Sequence, residues 1–402
     1  MSSEDLAAPS GATSSPRLVR PGALALPGCS EYEEALMAVA LEAARAEAAG
    51  ASPLEVSALV ARIRVHGGPQ VWPRVWTLKS SSALEADVVA SFHAWLSALP
   101  AEAPRRCGVA QARAGDGGLI VVALVVDVLA DLEPLPQRVR LGQWLRLRAR
   151  ALVPARVARV VLLGPRGVPR SLPSELDAGD IRAVFSLDQP GLWRIQVLLD
   201  TDSGPRPGLE AWVFVDVQPS LAAGSAPAPG EGLGTIEPAS ARDARIQLLA
   251  MLNQARSSEG RAALGPDARL DRLAQAHAEA MRQRALTAHD VGRGLPDVRL
   301  HDAGLVAARI GENVAHARTL ALAHRALWDS PAHRGNLLDP AFVLVGLGVA
   351  ETPASDPAAG VWVCELFTDQ LTSIATSTRV APSDLVDDIP GASFVTPDEQ
   401  SF

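Results

Sequence analysis

Histidine is concentrated in one part of this 402-residue sequence. Six of the eight histidines lie between residues 277 and 333. Neutral imidazole can ligate a metal ion and can carry a proton near neutral pH, so this region is the first candidate for chemistry. His289 follows a predicted helix and precedes Gly292 and Gly294. A histidine in a loop at the end of a helix can point into a cleft.

A carboxylate and a second histidine follow His289 along the chain. Glu312 lies in the segment Ile310-Gly-Glu-Asn-Val314, where the glycine lets the backbone come close to a pocket. His333 lies in Ser330-Pro-Ala-His-Arg334, and this proline suits the first turn of a helix. The three side chains therefore make a candidate site that is catalytic, metal-binding or both.

Two imidazoles and one carboxylate suit a divalent metal ion such as zinc, with water completing the shell. His289 and His333 are the candidate ligands, Glu312 is a possible third, and metal-bound water would be the nucleophile. Without a metal, Glu312 and one histidine can share acid–base work. Alternatively, Glu312 and His333 hydrogen-bond each other and only stabilise the join between helix and sheet.

The other reactive residue types nearby have simpler explanations. His277 shares the apolar stripe of a predicted helix with Met281, which is typical of a core histidine. Ser330 precedes a proline and is expected to cap the following helix. Cys364 lies in a predicted strand, at a position that the alternating pattern places on the buried face, and is expected in the core. None of the three is predicted to be a nucleophile.

The elements that must position these side chains form one unit, residues 241–372. Apolar spacing predicts a helix over 241–259 and a second helix that carries His277. A third predicted helix ends near Trp328, and strands are predicted over 342–350 and 361–367. Helices and strands in this order indicate an α+β unit.

These segments resemble the CAP superfamily, which includes cysteine-rich secretory and plant pathogenesis-related proteins. The resemblance covers the last third of the chain and is closest to the bacterial subgroup that lacks the family's disulfides. The matching residues are Leu252-Asn253 with Arg256, His277-Ala278 with Met281, His289-Asp290, Gly311-Glu-Asn313, Trp328, Ser330-Pro-Ala-His-Arg334, Asn336-Leu-Leu338, Phe342, Gly346-Leu-Gly348 and 362–367.

The resemblance implies a three-layer αβα sandwich with a cleft lined by two histidines and up to two acidic residues. His289, Glu312 and His333 match three of those positions. The fourth, a glutamate on the tryptophan-containing helix of many relatives, has no clear equivalent here. Asp329 and Ser330 lie nearest to it in sequence, which puts a complete catalytic set in doubt.

The middle of the chain changes character. Residues 136–218 contain short alternating strands separated by Pro/Gly turns, which predicts a small Ig-like β-sandwich. Residues 219–240 are mostly Ala, Gly, Pro and Ser and are expected to form a linker. Residues 373–402 are polar and acidic and are expected to form a loose tail.

The N-terminal part is predicted to hold a flexible leader, residues 1–29, and an α+β unit, residues 30–135. An alternative for the leader is a processed export signal, because a short apolar run ends in Gly28-Cys29 like a lipoprotein signal. The α+β unit faintly repeats the last one: Gly108-Val-Ala110 parallels Gly348-Val-Ala350. We therefore hypothesise that it is a degenerate CAP-like domain without a working cleft.

Bulk properties exclude some functions. The formal net charge is −8 and no long basic run occurs, so nucleic-acid binding is not expected. The longest apolar run, Leu119 to Val126, is far shorter than a transmembrane helix needs, so it is predicted to be a buried strand. Three widely spaced cysteines permit one disulfide without indicating which.

Three functions stay open at this point. The first is a bacterial protein, secreted or in the cell envelope, that binds a small molecule, a lipid or a cell-wall component in the cleft. The second is a metal-dependent, peptidase-like hydrolase that uses His289, Glu312 and His333. The third is a structural or adhesion protein with a vestigial cleft. CAP relatives are often not enzymes, which favours the binding module.

Overall fold

The computed structural model describes residues 13–20, 25–29, 31–80, 85–99, 103–202, 204–224, 227–234, 238–353 and 359–373. Within these residues the chain forms two mixed α/β units with a β-sandwich between them, so the overall class is α+β. No helix in these ranges is both long enough and apolar enough to cross a membrane. The predicted acidic tail lies outside the described residues, apart from its first residue.

The C-terminal unit begins at Ser240, whose side chain caps the first helix. Its elements are α4 (Ala241–Ser258), β17 (Gly265–Pro266), α5 (Ala268–Arg284), α6 (Pro296–Asp302), β18 (Leu305–Val306), β19 (Ile310–Ala317), α7 (Leu320–Asp329), α8 (Pro331–Leu338), β20 (Leu344–Thr352), β21 (Gly360–Thr368) and β22 (Thr372–Ser373).

This C-terminal unit is a three-layer αβα sandwich, as the family resemblance implies. The main sheet has the strand order β17-β20-β21-β19, with antiparallel pairing among the last three strands. Helix α5 covers one face of the sheet, and α4, α7 and α8 cover the other. An edge strand, β19, carries Glu312 and is therefore free on one side to border a cleft.

The middle unit is a β-sandwich, as predicted. Its strands are β7 (Ala130–Leu132), β8 (Leu135–Pro136), β9 (Arg138–Val139), β10 (Trp144–Ala151), β11 (Val157–Leu163), β12 (Arg170–Leu172), β13 (Glu175–Asp177), β14 (Asp180–Ser186), β15 (Gly191–Thr201) and β16 (Gly204–Val215). The two sheets have the orders β13-β14-β10-β7 and β12-β11-β15-β16-β9 and share one apolar core.

The N-terminal unit has a five-stranded sheet. Its elements are β1 (Thr13–Ser14), which lies outside this sheet, β2 (Leu18–Val19), β3 (Glu31–Glu33), α1 (Glu34–Ala48), α2 (Val56–Val65), β4 (Arg74–Ser80), α3 (Glu85–Ser97), β5 (Arg105–Arg113) and β6 (Leu119–Asp127). Helices α1 and α2 cover one face of the sheet β2-β3-β5-β6-β4, and α3 covers the other.

This sheet has the same connections as the C-terminal one. In each unit a short strand runs parallel to the first strand of an antiparallel hairpin, and an earlier strand pairs with the second. A Cβ placed on Gly108 would lie 2.1 Å from the backbone of α1, and one on Gly348 would lie 2.2 Å from the backbone of α5. Both glycines let a helix lie directly on a sheet. That the two units are repeats stays a prediction.

Two predicted flexible segments are structured where they are described. Within the expected leader, β1 pairs with β8 and β2 pairs with β3. Cys29 forms a disulfide with Cys107. A thiol in a disulfide cannot also carry a lipid, so the lipoprotein-like interpretation of Cys29 is wrong. In the expected linker, Glu231 forms an ion pair with Arg325 of α7, so this segment packs on the C-terminal unit.

Candidate functional site

His289 lies in the loop between α5 and α6, where the sequence predicts a loop. The neighbouring Asp290 fixes this loop, because its carboxylate accepts hydrogen bonds from the backbone N–H groups of Gly292 and Gly294 at 2.7 and 3.1 Å. Both glycines adopt positive φ angles, 84° and 78°, which residues with a side chain rarely adopt. The loop therefore presents the His289 ring in a defined orientation.

Glu312 lies in β19 and is the centre of the site. One carboxylate oxygen, Oε1, is 2.9 Å from His289 Nδ1 and 3.9 Å from His277 Nε2. The other, Oε2, accepts a hydrogen bond from Arg299 Nη2 at 2.5 Å and one from Cys364 Sγ at 3.4 Å. The side chain is only 1% exposed. Both oxygens of Glu312 are thus bonded by the protein itself.

The environment keeps Glu312 ionised. Burial by itself raises the pKa of this carboxyl, but the hydrogen bond from His289 and the charge of Arg299 outweigh it, so the pKa lies below its ordinary value. His277 is buried in the core, as its helix-face position predicts, and its Nε2 is 3.0 Å from the carbonyl oxygen of Ala288. Burial lowers the pKa of His277 and keeps it neutral.

Arg299 belongs to the hydrogen-bonded cluster around Glu312, although its sequence context does not predict it. It lies in α6, a short helix in a stretch whose apolar spacing is too weak to predict one. Its guanidinium donates to the carbonyl oxygens of Gly294 and His289 at 3.2 and 3.3 Å as well as to Glu312. The Pro296 at the start of α6 is the one local signal for this helix. Arg299 joins the His289 loop to β19.

His333 lies on α8, on the opposite side of the sheet from α5. Burial and the nearby His289 lower its pKa to about 3, so the imidazole is neutral near pH 7. The ring of Trp72, from the N-terminal unit, meets it edge-on with 6.5 Å between centroids. The backbone carbonyl of His333 accepts a hydrogen bond from Asn313 at 3.2 Å, which ties α8 to β19.

The three predicted site residues line one cavity of about 550 Å³. The C-terminal unit supplies one side of it, and the second sheet of the β-sandwich supplies the other. The cavity is lined by Arg159, Val161, Pro169, Ser171, Leu198, Pro205, Pro207, His289, Leu295, Pro296, Asp297, Ile310, Gly311, Glu312, Pro331, Ala332, His333, Gly335, Asn336 and Asp339.

The two nearest candidates for a fourth acidic position do not line this cavity. Asp329 forms an ion pair with Arg194 of the β-sandwich at 3.0 Å, so it joins two units instead. Ser330 stands at the start of α8, but its side chain makes no capping hydrogen bond. The prediction that its hydroxyl caps α8 is therefore wrong.

The donor set does not suit zinc with Glu312 as a ligand. Among the described residues no group of three or more His, Cys, Asp or Glu side chains is arranged to hold a metal ion. Glu312 is only 1% exposed, and its oxygens already accept hydrogen bonds from His289 and Arg299, so it presents little surface to an ion. His289 already uses Nδ1 for Glu312, which leaves its Nε2 and the ring of His333. Two imidazoles are fewer protein ligands than zinc sites ordinarily have.

Comparison with protein families identifies the C-terminal unit. The family model described as CAP, the cysteine-rich secretory protein family, matches residues 249–366. This range includes His289, Glu312 and His333. The C-terminal unit is therefore a CAP domain, as the sequence resemblance implies. No curated protein matches the chain.

Three bacterial structures are similar to parts of the chain. An outer surface protein from Borrelia burgdorferi is 17% identical, with a TM-score of 0.30, covering 33% of this chain and 98% of that one. An extracellular SCP-domain protein from Bacillus anthracis is 14% identical, with a TM-score of 0.29, covering 60% and 86%. A cysteine-rich secretory protein from Staphylococcus aureus is 12% identical, with a TM-score of 0.27 and the same coverage. The domain assignment rests on the sequence match.

Proposed function

We propose that this protein is a bacterial binding protein, secreted or in the cell envelope, whose CAP-domain cleft takes up a small organic molecule. Lipids and cell-wall fragments are the ligand classes that fit this setting. His289 and His333 would supply hydrogen bonds to the ligand. Glu312, held by Arg299, would fix the orientation of the His289 ring.

The observation that carries the proposal is the cavity of about 550 Å³ around these residues. Its volume lies in the range of small-molecule sites, and its walls combine apolar side chains with a few convergent polar groups. A purely structural role for His333 would not require its ring to line a cavity. The Cys29–Cys107 disulfide supports export, because disulfides persist in oxidising compartments.

A plug in the cavity tests the proposal. Gly335 lines the cavity from α8, and a Cβ added there meets no atom within 4 Å. Gly335→Phe should therefore fill the cavity without a clash near the backbone. The full chain is titrated with N-phenylnaphthylamine, a neutral dye that fluoresces in apolar sites. We expect the variant to lose at least about tenfold in affinity, since the ring occupies the dye's volume.

The matched control is Gly115→Phe. Gly115 lies in the turn between β5 and β6, where an added Cβ also meets no atom within 4 Å. Its dye affinity should equal that of the original chain. Equal affinity of the Gly335→Phe variant, or no dye binding by the original chain, would refute the cleft as an apolar binding site.

The alternative function, a metal-dependent hydrolase, is less well supported, because Glu312 is almost fully buried and no group of three potential ligands is arranged for a metal ion among the described residues. Zinc calorimetry on the full chain separates it from the binding module. We expect no zinc binding at micromolar concentration that depends on His289 and His333. Micromolar binding that the double variant His289→Ala, His333→Ala loses would favour the hydrolase.

A further inference from the structure

The β-sandwich forms a second wall of the CAP-domain cavity. Strand β11 contributes Arg159 and Val161, and strand β15 contributes Leu198. Two contacts next to the cavity fix this wall. Gln196 Oε1 accepts a hydrogen bond from the backbone N–H of Ala332 at 3.2 Å, and the β-sandwich residue Arg194 forms the ion pair with Asp329. The cavity is thus a composite of two domains.

Arg159 is the cation of this second wall. The strand alternation of β11 directs its side chain outward, and it lines the cavity. Among the described residues no carboxylate lies within ion-pairing distance of its guanidinium, unlike Arg194 on the neighbouring strand. An unpaired guanidinium offers several N–H donors in a planar fork that matches carboxylate and phosphate groups.

The carboxylates that line the cavity are on the CAP-domain side. Glu312 pairs with Arg299, and Asp339 forms an ion pair with Arg309 at 3.2 Å. Asp297, exposed in the first turn of α6, makes no ion pair with a described residue. An anionic group in the cavity is therefore attracted to the β-sandwich wall and repelled from the wall that carries Asp297.

We propose that this composite cavity binds an amphipathic anion, and that Arg159 binds its anionic group while Val161 and Leu198 contact its apolar body. The proposal rests on the proposed function, since it assigns the ligand class of the same cleft. The anionic group is a carboxylate or a phosphate. His289 and His333 lie on the facing wall and would contact the remainder of the ligand.

A pair of dyes that differ in charge tests the role of Arg159. Anilinonaphthalene sulfonate is an anionic relative of the neutral N-phenylnaphthylamine. For each dye, only the binding that Gly335→Phe abolishes is assigned to the cavity, and its affinity is the one compared between variants. Arg159→Gln should weaken the sulfonate about tenfold and leave the neutral dye within about twofold, because only the sulfonate loses a charge-assisted hydrogen bond. Asp297→Asn should strengthen the sulfonate about two- to threefold, because it removes a repelling charge.

The matched control is Arg146→Gln. Arg146 is an exposed strand arginine of the other sheet and does not line the cavity. Its variant should bind both dyes like the original chain. If Arg159→Gln and Arg146→Gln have equal effects on the sulfonate, the anion proposal is overturned while the cleft remains a binding site. If neither dye responds to Gly335→Phe, the proposed function itself has failed.

Competition identifies the anionic group. Octanoate, octyl phosphate and the neutral octanol are each used to displace the sulfonate dye from the original chain and from the Arg159→Gln variant. The proposal predicts that either anion displaces the dye from the original chain at a concentration at which octanol does not. It also predicts that anions and octanol displace the dye equally from the Arg159→Gln variant. The stronger of the two anions identifies carboxylate or phosphate as the preferred group. Equal displacement by all three compounds overturns it.

Discussion

The neutral state of His333 predicts a specific loss of stability in weak acid. Its pKa is about 3 in the folded protein and about 6.5 in an unfolded chain. Between these two pH values the unfolded chain binds more protons at this residue than the folded protein does, so stability falls as the pH drops from about 6.5 towards 3. From pH 7 to pH 5, this linkage amounts to about 2 kcal/mol for this single residue.

The assay is urea unfolding of the full chain and of His333→Gln at pH 7 and pH 5. We expect the loss of unfolding free energy between the two pH values to be about 2 kcal/mol smaller in the variant, because glutamine does not titrate. The exposed His301, replaced by Gln, reports the general effect of losing one histidine. Glu365, whose pKa burial raises to about 7, works in the opposite direction, but it is present in every variant and cancels in the comparison.

NMR of the histidine rings gives the direct measurement. The resonances that disappear in His333→Gln belong to this ring, and in the original chain they should not titrate between pH 7 and pH 5. A midpoint near 6.5, or an equal pH dependence of stability with and without His333, would refute the assignment of a buried neutral imidazole.

Substitutions at four further positions test the ion pair of Glu312, the disulfide and the contacts between helix and sheet. Arg299→Gln should lower the free energy of unfolding in urea by about 3 kcal/mol, because it leaves the buried Glu312 without its charge partner. Arg299→Lys should restore little of this loss. A loss under about 1 kcal/mol in Arg299→Gln would contradict the ion pair. Cys107→Ser should lower the free energy of unfolding by about 4 kcal/mol, since the disulfide joins residues 78 positions apart. If the original chain were equally stable in reducing and in non-reducing buffer, the bond would be disproved. Gly108→Ala and Gly348→Ala should each lower thermal stability by the equivalent of at least about 2 kcal/mol through a clash with a helix backbone; a neutral result at Gly108 would remove the best evidence for a repeat.

Local patterns in the sequence were sufficient for the main elements and for three of the residues that line the cavity. The alternation of Trp144–Ala151 appears as alternating exposure in β10, and the apolar run from Leu119 forms a buried strand. His289, Glu312 and His333 could be found because each lies in a short segment with a recognisable order of residue types. Such signals depend only on residues a few positions away in the sequence, so they can be recognised without the tertiary structure.

The composite cleft was decided by the tertiary structure. Arg299 reaches Glu312 across 13 positions, the disulfide joins cysteines 78 positions apart, and Arg159 meets the CAP-domain cavity from another domain. Nothing in the residues around Arg159 distinguishes it from the other exposed strand arginines of the β-sandwich. Its place depends on how two apolar cores pack against each other and on where Arg194 and Gln196 fasten them. The sequence determined which side chains were available for chemistry, and packing over long separations determined which of them share one cavity.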